Sequence, residues 1–212
     1  MNLEFSPEIL KYCESLSEQP EEAINQLERQ TYLSTVSPQM ISGRLQGRFL
    51  SFISKLLKPK YVFEIGTFTG YSALCFAEGL QEGGEVHTCD PSRDYDFIIN
   101  QYASKSQNFG RIKFHKQSAL QVLDEVALSW DLFFVDGSKK EYPNYIDAIE
   151  KVIKPGAVIL VDNVLWYGKV TQQPRDKETQ ILHEINERLF LSNQYHQLIL
   201  PLRDGIHLAI KK

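Results

Sequence analysis

Long apolar runs are missing from this sequence. None approaches the ~20 consecutive apolar residues that a helix needs to span a bilayer, so we predict no membrane association. Residues 1–8 carry acidic side chains where a secretory signal would carry basic ones. We therefore expect a cytoplasmic protein.

An excess of basic charge is also missing. The 212 residues include 23 Lys and Arg against 27 Asp and Glu, which gives a formal net charge of −4 at pH 7. Nucleic-acid-binding surfaces normally cluster Lys and Arg on one face, so the composition predicts no nucleic-acid partner. The 42% of hydrophobic residues is enough for one large core, and we expect a single domain over 1–212.

Metal-binding and disulfide patterns of cysteine and histidine are absent as well. The three cysteines, Cys13, Cys75 and Cys89, form no Cys-x-x-Cys pair, and an odd number fits a reducing compartment better than a disulfide framework. The five histidines show no spacing typical of a zinc site. We expect three free thiols and no zinc.

The sequence also lacks one glycine of the dinucleotide-binding fingerprint. Gly66 and Gly70 mark a turn between an apolar strand and a helix, where backbone can approach a ligand closely. In a Gly-x-Gly-x-x-Gly loop the middle glycine admits a pyrophosphate, and here Phe68 holds that position. A nucleoside without phosphates, such as S-adenosylmethionine, fits this turn better.

The order of predicted elements indicates an α/β fold. Helical periodicity covers a segment within 1–57, and short apolar runs then alternate with helices, as expected for a parallel sheet covered on both faces. Asp204-Gly205 predicts a hairpin, so the last strand is antiparallel to its neighbour. The predicted seven strands are 61–65, 85–89, 112–115, 132–135, 158–161, 195–201 and 205–211. The predicted helices between and after them are 72–80, 94–109, 119–127, 142–152 and 179–190.

Two acidic residues accompany the glycine turn. Asp90 ends the second strand, and in nucleoside-binding sheets an acid at this distance accepts hydrogen bonds from ribose hydroxyls. The alternative is a carboxylate that caps a helix starting near Asp94. Glu64 lies where a dinucleotide enzyme usually has an apolar residue, and its carboxylate suits a cationic amino group; the alternative is a partner for a helix terminus.

Three oxygen-bearing side chains follow two later strands. Asp136 ends one strand, and Asp162 and Asn163 end the next. Ligands bind at the carboxyl ends of the strands in open α/β sheets, so these side chains can converge there. Two carboxylates and an amide favour Mg²⁺, Mn²⁺ or Ca²⁺, although either acid alone is also typical of a helix N-cap.

Lys139 lies three residues after Asp136. A lysine beside a divalent cation has a lowered pKa, which a general base requires. Most lysines are simply solvated, and the neighbouring Lys140 is the expected solvent-facing control.

Several segments together resemble the cation-dependent small-molecule O-methyltransferases, the group of plant caffeoyl-CoA O-methyltransferases, animal catechol O-methyltransferase and bacterial relatives. The most selective segment is Asp-Asn-x-Leu-Trp at 162–166, with Val-Asp-x-x-Lys upstream at 135–139. The other matching segments are 37–42, 46–50, 63–72, 119–120 and 200–206.

The resemblance implies a Rossmann-like class I methyltransferase fold that uses S-adenosylmethionine. The implied metal ligands are Asp136, Asp162 and Asn163, and Lys139 is the implied base. The resemblance also implies how S-adenosylmethionine is bound. Its methionine half would be contacted by Ser42, Glu64, Gly66, Thr67 and Ser72. Asp90 would contact the ribose and Ala119 the adenine, with further cofactor contacts from Asp136 and Ser138.

Two positions depart from the plant enzymes. Ser138-Lys139-Lys140 replaces an Asp-Lys-Asp run, so a cofactor contact there would come from the Ser138 hydroxyl or backbone. Tyr167 replaces an asparagine that touches substrate, which argues against caffeoyl-CoA itself. Trp166 and Tyr167 suit an aromatic wall of the substrate pocket, and equally a core plug or an interface.

The expected activity is methyl transfer to a small aromatic compound with two adjacent hydroxyls, by a homodimer. The alternatives are a nucleotide-dependent oxidoreductase on the same sheet, a nucleic-acid methyltransferase, and a non-catalytic cofactor-binding protein. The missing middle glycine argues against the first, the acidic balance against the second, and the intact metal and base positions against the third.

Overall fold

A computed structural model describes residues 6–212 of the chain, and the part of the predicted helical segment at 1–5 lies outside the described residues. Three helices precede the sheet. They are α1 (Pro7–Ser15), α2 (Glu22–Ser34) and α3 (Gly43–Leu57). Ser6 caps the first of them by accepting a hydrogen bond from the Ile9 N–H.

Strands and helices then alternate as far as the last two strands, which follow one another directly. The strands are β1 (Tyr61–Ile65), β2 (Glu85–Cys89), β3 (Ile112–His115), β4 (Leu132–Val135), β5 (Val158–Asp162), β6 (Tyr195–Leu200) and β7 (Ile206–Lys211). The helices are α4 (Tyr71–Ala77), α5 (Asp96–Gln101), α6 (Ala119–Glu125), α7 (Tyr142–Val152) and α8 (Lys177–Leu191).

The seven strands form one sheet in the order β3-β2-β1-β4-β5-β7-β6. The pairs from β3 to β5 are parallel, and β7 runs antiparallel to both β5 and β6. The predicted α/β fold with an antiparallel last strand is confirmed. The ends of β1, β4 and β5 therefore lie side by side at the carboxyl edge of the sheet.

Apolar side chains alternate between two faces of the central strands. Phe133 and Ile159 pack into one core cluster with α6, α7 and α8. Phe134 and Leu160 pack into the other with α2, α3, α4 and α5. Burial on both faces explains why these strands are continuous apolar runs, and helices cover both faces as predicted.

The helix predicted over 94–109 is wrong in its extent. The structure has α5 and then two short 3₁₀ turns, Ala103–Lys105 and Phe109–Arg111. Serine, asparagine and glycine in this stretch favour turns over continued helix. Within 6–212, no helix is both long enough and apolar enough to cross a membrane.

Candidate active site

The glycine turn begins directly after β1 and touches the end of β4. Gly66 has a φ of 102°, and a Cβ at this position would overlap the Asp136 carbonyl oxygen. Only glycine permits this approach. The predicted cofactor turn and the predicted metal ligand Asp136 are therefore in backbone contact.

Glu64 is a fully buried acid at the end of β1. Neither of its carboxylate oxygens has a hydrogen-bond partner among residues 6–212. Burial raises the pKa of Glu64 to about 8, and the nearby Ser72 and Thr88 hydroxyls moderate the rise without a bond of normal geometry. A buried carboxyl group without a donor fits a cationic ligand group that donates hydrogen bonds.

Asp90 connects the glycine turn to the loop after β2. Its Oδ2 accepts from the Phe68 N–H at 3.2 Å, and its Oδ1 accepts from the Ser92 N–H at 2.9 Å. Phe68 has a φ of 48° at the position where the dinucleotide fingerprint has glycine. Each Asp90 oxygen keeps further acceptor capacity, which the predicted ribose contact requires.

The other predicted cofactor residues lie close to element ends. Ser42 precedes α3, Ser72 lies in the first turn of α4, and Ala119 begins α6. Helix N-termini present unpaired N–H groups. The Thr67 hydroxyl is 2.7 Å from the Thr88 hydroxyl, and Ser138 is exposed beside the Lys139–Glu141 turn.

Asp136 and Asp162 form the second part of the site. Asp162 is only 3% exposed, and burial together with the nearby negative charge of Asp136 raises its pKa. Asp162 accepts hydrogen bonds from Gln46 Nε2 at 2.6 Å and from the Asn163 N–H at 2.7 Å. Asn163 itself has a φ of 60°, in the left-handed region.

No group of three or more His, Cys, Asp or Glu side chains within 6–212 is arranged to hold a metal ion. The predicted set instead combines two carboxylates with the amide of Asn163. Its donors are all oxygen, and a bound cation would relieve the repulsion between Asp136 and Asp162. The set fits Mg²⁺, Mn²⁺ or Ca²⁺ better than zinc.

Lys139 donates to Asp136 Oδ1 at 3.0 Å and to the Tyr142 hydroxyl at 2.8 Å. Burial alone would lower the pKa of Lys139, but Asp136 and Tyr142 raise it above its ordinary value. The protein's own groups therefore hold Lys139 as an ammonium, the opposite of the lowered pKa that a base needs. Its proposed role as a base stays a prediction, while Lys140 is exposed as expected.

Three residues of this region lack a local sequence signal. Gln46 reaches Asp162 across 116 positions of sequence. The buried Tyr142 hydroxyl lies 3.2 Å from the carbonyl oxygens of Val135 and Asp162, so it links the ends of β4 and β5. Arg203 donates hydrogen bonds to the Gln39 and Ile41 carbonyls, in the segment before α3.

A family model for O-methyltransferases matches residues 14–212. The chain belongs to the O-methyltransferase family. This finding confirms the resemblance and the predicted class of enzyme. It contradicts the alternative of a nucleotide-dependent oxidoreductase.

Two relatives illustrate the similarity in sequence. This O-methyltransferase is 35% identical to catechol O-methyltransferase domain-containing protein 1 of Mus musculus, over 78% of its own length and 66% of the mouse protein. It is 34% identical to a caffeoyl-CoA O-methyltransferase of Populus kitakamiensis, over 77% of its own length and 75% of the poplar protein.

Solved methyltransferase structures share the fold of this chain. This O-methyltransferase aligns with an SAH-bound methyltransferase of Podospora anserina at a TM-score of 0.87 and 26% identity, over 100% of its own chain and 99% of the other. It aligns with the O-methyltransferase TomG of Streptomyces achromogenes, solved in complex with SAM, at 0.88 and 26%, over 97% and 96%.

Proposed function

We propose that this O-methyltransferase transfers the methyl group of S-adenosylmethionine to one hydroxyl of an aromatic compound with two adjacent hydroxyls, with the help of a divalent cation. One observation carries the proposal. The turn after the unpartnered Glu64 touches Asp136 through Gly66, so a cationic methyl donor and a metal-bound acceptor would lie side by side.

The residues of the glycine turn suit S-adenosylmethionine. Glu64 would accept hydrogen bonds from its cationic amino group, which supplies the donors that this carboxyl group lacks. Asp90 would accept from the ribose, and Ala119 would contact the adenine. Bound S-adenosylmethionine supplies an electrophilic methyl group, and the SAH- and SAM-bound relatives at 26% identity support this choice.

The acidic pair suits a divalent cation. Asp136, Asp162 and Asn163 would hold it, and a bound cation supplies Lewis-acid chemistry that stabilises a phenolate. Gln46 and the Asn163 N–H fix the Asp162 carboxylate in place. Fixed ligand orientation is a large part of metal affinity.

Lys139 would exchange a proton with the acceptor hydroxyl at Nζ. Lys139 is held as an ammonium by its ion pair with Asp136. Nζ can therefore accept a proton only after it has lost its own, which requires that the pair opens or that a cation offsets the negative charge of Asp136. Tyr142 keeps the Lys139 side chain in place through its hydroxyl oxygen.

The acceptor is proposed from the relatives and from the loop after β5. The mouse and poplar relatives are named for catechol and caffeoyl-CoA, and both compounds carry adjacent aromatic hydroxyls. Tyr167 is 74% exposed, beside the partly buried Trp166. An exposed aromatic side chain here suits a small aromatic acceptor better than caffeoyl-CoA.

Incubation with S-adenosylmethionine, Mg²⁺ and either catechol or caffeic acid tests the proposal by mass spectrometry. The expected product gains one CH₂. Lys139→Ala should slow turnover by at least ~100-fold, since a proton-transfer group contributes about that much. Its exposed neighbour provides the control, because Lys140→Ala should change nothing. Absence of product from both diols, or equal loss in the two variants, would contradict the assignment.

A further inference from the structure

The turn between β6 and β7 contacts two separate segments beside the site. It is closed by a hydrogen bond from the Gly205 N–H to the Leu202 carbonyl at 2.9 Å. Arg203 occupies a left-handed conformation in it, with a φ of 51°. This conformation is unfavourable for a residue with a Cβ, so a residue kept there needs compensating contacts.

Arg203 provides such contacts through its guanidinium. Nη1 donates to the Ile41 carbonyl, and Nη2 donates to the Gln39 carbonyl at 3.1 Å. Both carbonyls belong to the short segment that leads into Ser42 and α3. The planar fork of arginine can hold two carbonyl oxygens at once, whereas a lysine holds them less well.

Asp204 holds the segment on the other side. Its Oδ1 accepts from the Tyr167 N–H, and its carbonyl accepts from the Leu165 N–H at 2.9 Å. The Gly205 carbonyl accepts from the Val164 N–H at 3.1 Å. Adjacent residues of one turn thus fix the segment before the cofactor site and the loop that follows the metal ligands.

Each of the two segments exposes a large apolar or aromatic side chain. Met40 is 58% exposed on the first, and Tyr167 is 74% exposed on the second. Ile41 and Val164 anchor the two segments by burial, but Gln39, Met40 and Tyr167 are exposed, so the positions of these outer residues depend on the hydrogen bonds to the turn.

We infer that Arg203 and Asp204 are positioning residues for the two segments that border the acceptor pocket, and that Arg203 determines the position of the segment 39–41. An aromatic acceptor would bind between the segments. Arg203 therefore affects acceptor binding without touching the reacting atoms. The acceptor measurement below rests on the proposed function, whereas the exchange measurement does not.

Arg203→Gly tests this inference, with Lys58→Gly as a matched control. Glycine removes the guanidinium and also relieves the left-handed conformation. Lys58 is likewise an exposed left-handed residue, with a φ of 47°, but it caps the C-terminus of α3. Gly at such a cap is favourable. Both variants should therefore melt within about 2 °C of the wild type or above it.

Hydrogen exchange gives a readout without cofactor or acceptor. The amides of Met40 and Ile41 bond to the carbonyls of Ser37 and Pro38. In Arg203→Gly they should exchange about tenfold faster because local opening becomes easier. In Lys58→Gly they should be unchanged, and Arg203→Lys, which keeps one donor group, should be intermediate.

Kinetics with catechol gives the second readout. Arg203→Gly should raise the KM for catechol about tenfold, as expected for the loss of ground-state positioning, with kcat at saturation within about twofold. Unchanged exchange in Arg203→Gly, or a parallel fall of kcat and melting temperature, would overturn the inference. If the wild type methylates neither catechol nor caffeic acid, the proposed function fails and the exchange result still decides the role of Arg203.

Discussion

The buried Glu64 and the partly buried Glu78 have pKa values that move in opposite directions. Burial raises the pKa of Glu64 to about 8, because no cationic side chain among residues 6–212 pairs with it and the nearby Ser72 and Thr88 hydroxyls offset only part of the rise. Glu78 is also desolvated by burial, but its pKa is lowered because it pairs with Arg48 at 2.7 Å and accepts from Ser51. Of these two acids, Glu64 lowers the stability of the free protein at neutral pH and Glu78 raises it.

The sign of the Glu64 effect follows from proton binding. Between the unfolded pKa near 4.5 and the folded value near 8, the folded state keeps a proton that the unfolded state has released. The free energy of unfolding therefore falls as pH rises, by up to about 1.4 kcal/mol per pH unit. Glu64→Gln should remove this slope and weaken S-adenosylhomocysteine binding at least ~10-fold, because a charged hydrogen bond is lost.

Urea unfolding of the wild type and Glu64→Gln at pH 5.5 and pH 8, without cofactor, measures this difference. Glu78→Gln is the control, because the lowered pKa of Glu78 stabilises the folded state throughout the pH range above 4.5, and this variant should lose about the same stability at pH 5.5 and pH 8. If the difference in free energy of unfolding between the wild type and Glu64→Gln were the same at both pH values, Glu64 would have an ordinary pKa.

The sequence predicts the positions of single residues that directly follow strands, but it does not predict which distant residues contact them. Asp90, Asp136 and Asp162 could be predicted because the carboxyl ends of parallel strands meet at one edge. Gln46 and Arg203 could not, because their contacts join residues 116 to 164 positions apart. Such pairs leave no local periodicity or spacing.

At the scale of elements, the junction of β1 and β4 is the most restrictive part of the site. Gly66 and Gly70 both have positive φ values, but a Cβ at Gly66 would overlap the Asp136 carbonyl, whereas one at Gly70 would lie 3.4 Å from the Phe114 ring. Gly70→Ala should cost about 1–2 kcal/mol from its left-handed conformation. Gly66→Ala should cost roughly 2–5 kcal/mol, because overpacking is added.

Denaturant unfolding of the two alanine variants measures this difference. Gly66→Ala should also lose binding of S-adenosylhomocysteine, because the turn is displaced from Asp136, while Gly70→Ala keeps more of it. Equal stability losses in the two variants would show that the backbone can move apart at little cost.

The elements themselves were predictable where burial is uniform. The runs at β4 and at 158–161 of β5 are apolar because both faces are covered. The end of α5 at Gln101 was not predicted. The segment 94–109 contains enough helix-compatible residues to resemble one continuous helix in sequence. The insertion of β7 between β5 and β6 follows from long-range pairing, and the sequence indicates only that β6 and β7 are neighbours.

For the whole molecule, the strand order explains why the two halves of the site lie at one sheet edge, because β4 pairs in parallel with both β1 and β5. The glycine turn belongs to the first half of the sheet, and the acidic pair belongs to the ends of β4 and β5. The single domain, the homodimer and the cytoplasmic location stay predictions.

Methyl transfer to catechol, measured with and without a chelator, tests whether a cation at this sheet edge takes part in the reaction. We predict that excess EDTA slows turnover by at least ~100-fold and that Mg²⁺ or Mn²⁺ restores it, because a bound cation stabilises the phenolate. Asp162→Ala should not recover with added metal, while calorimetry should still show S-adenosylhomocysteine binding. Full activity in excess EDTA would contradict the metal site at Asp136, Asp162 and Asn163.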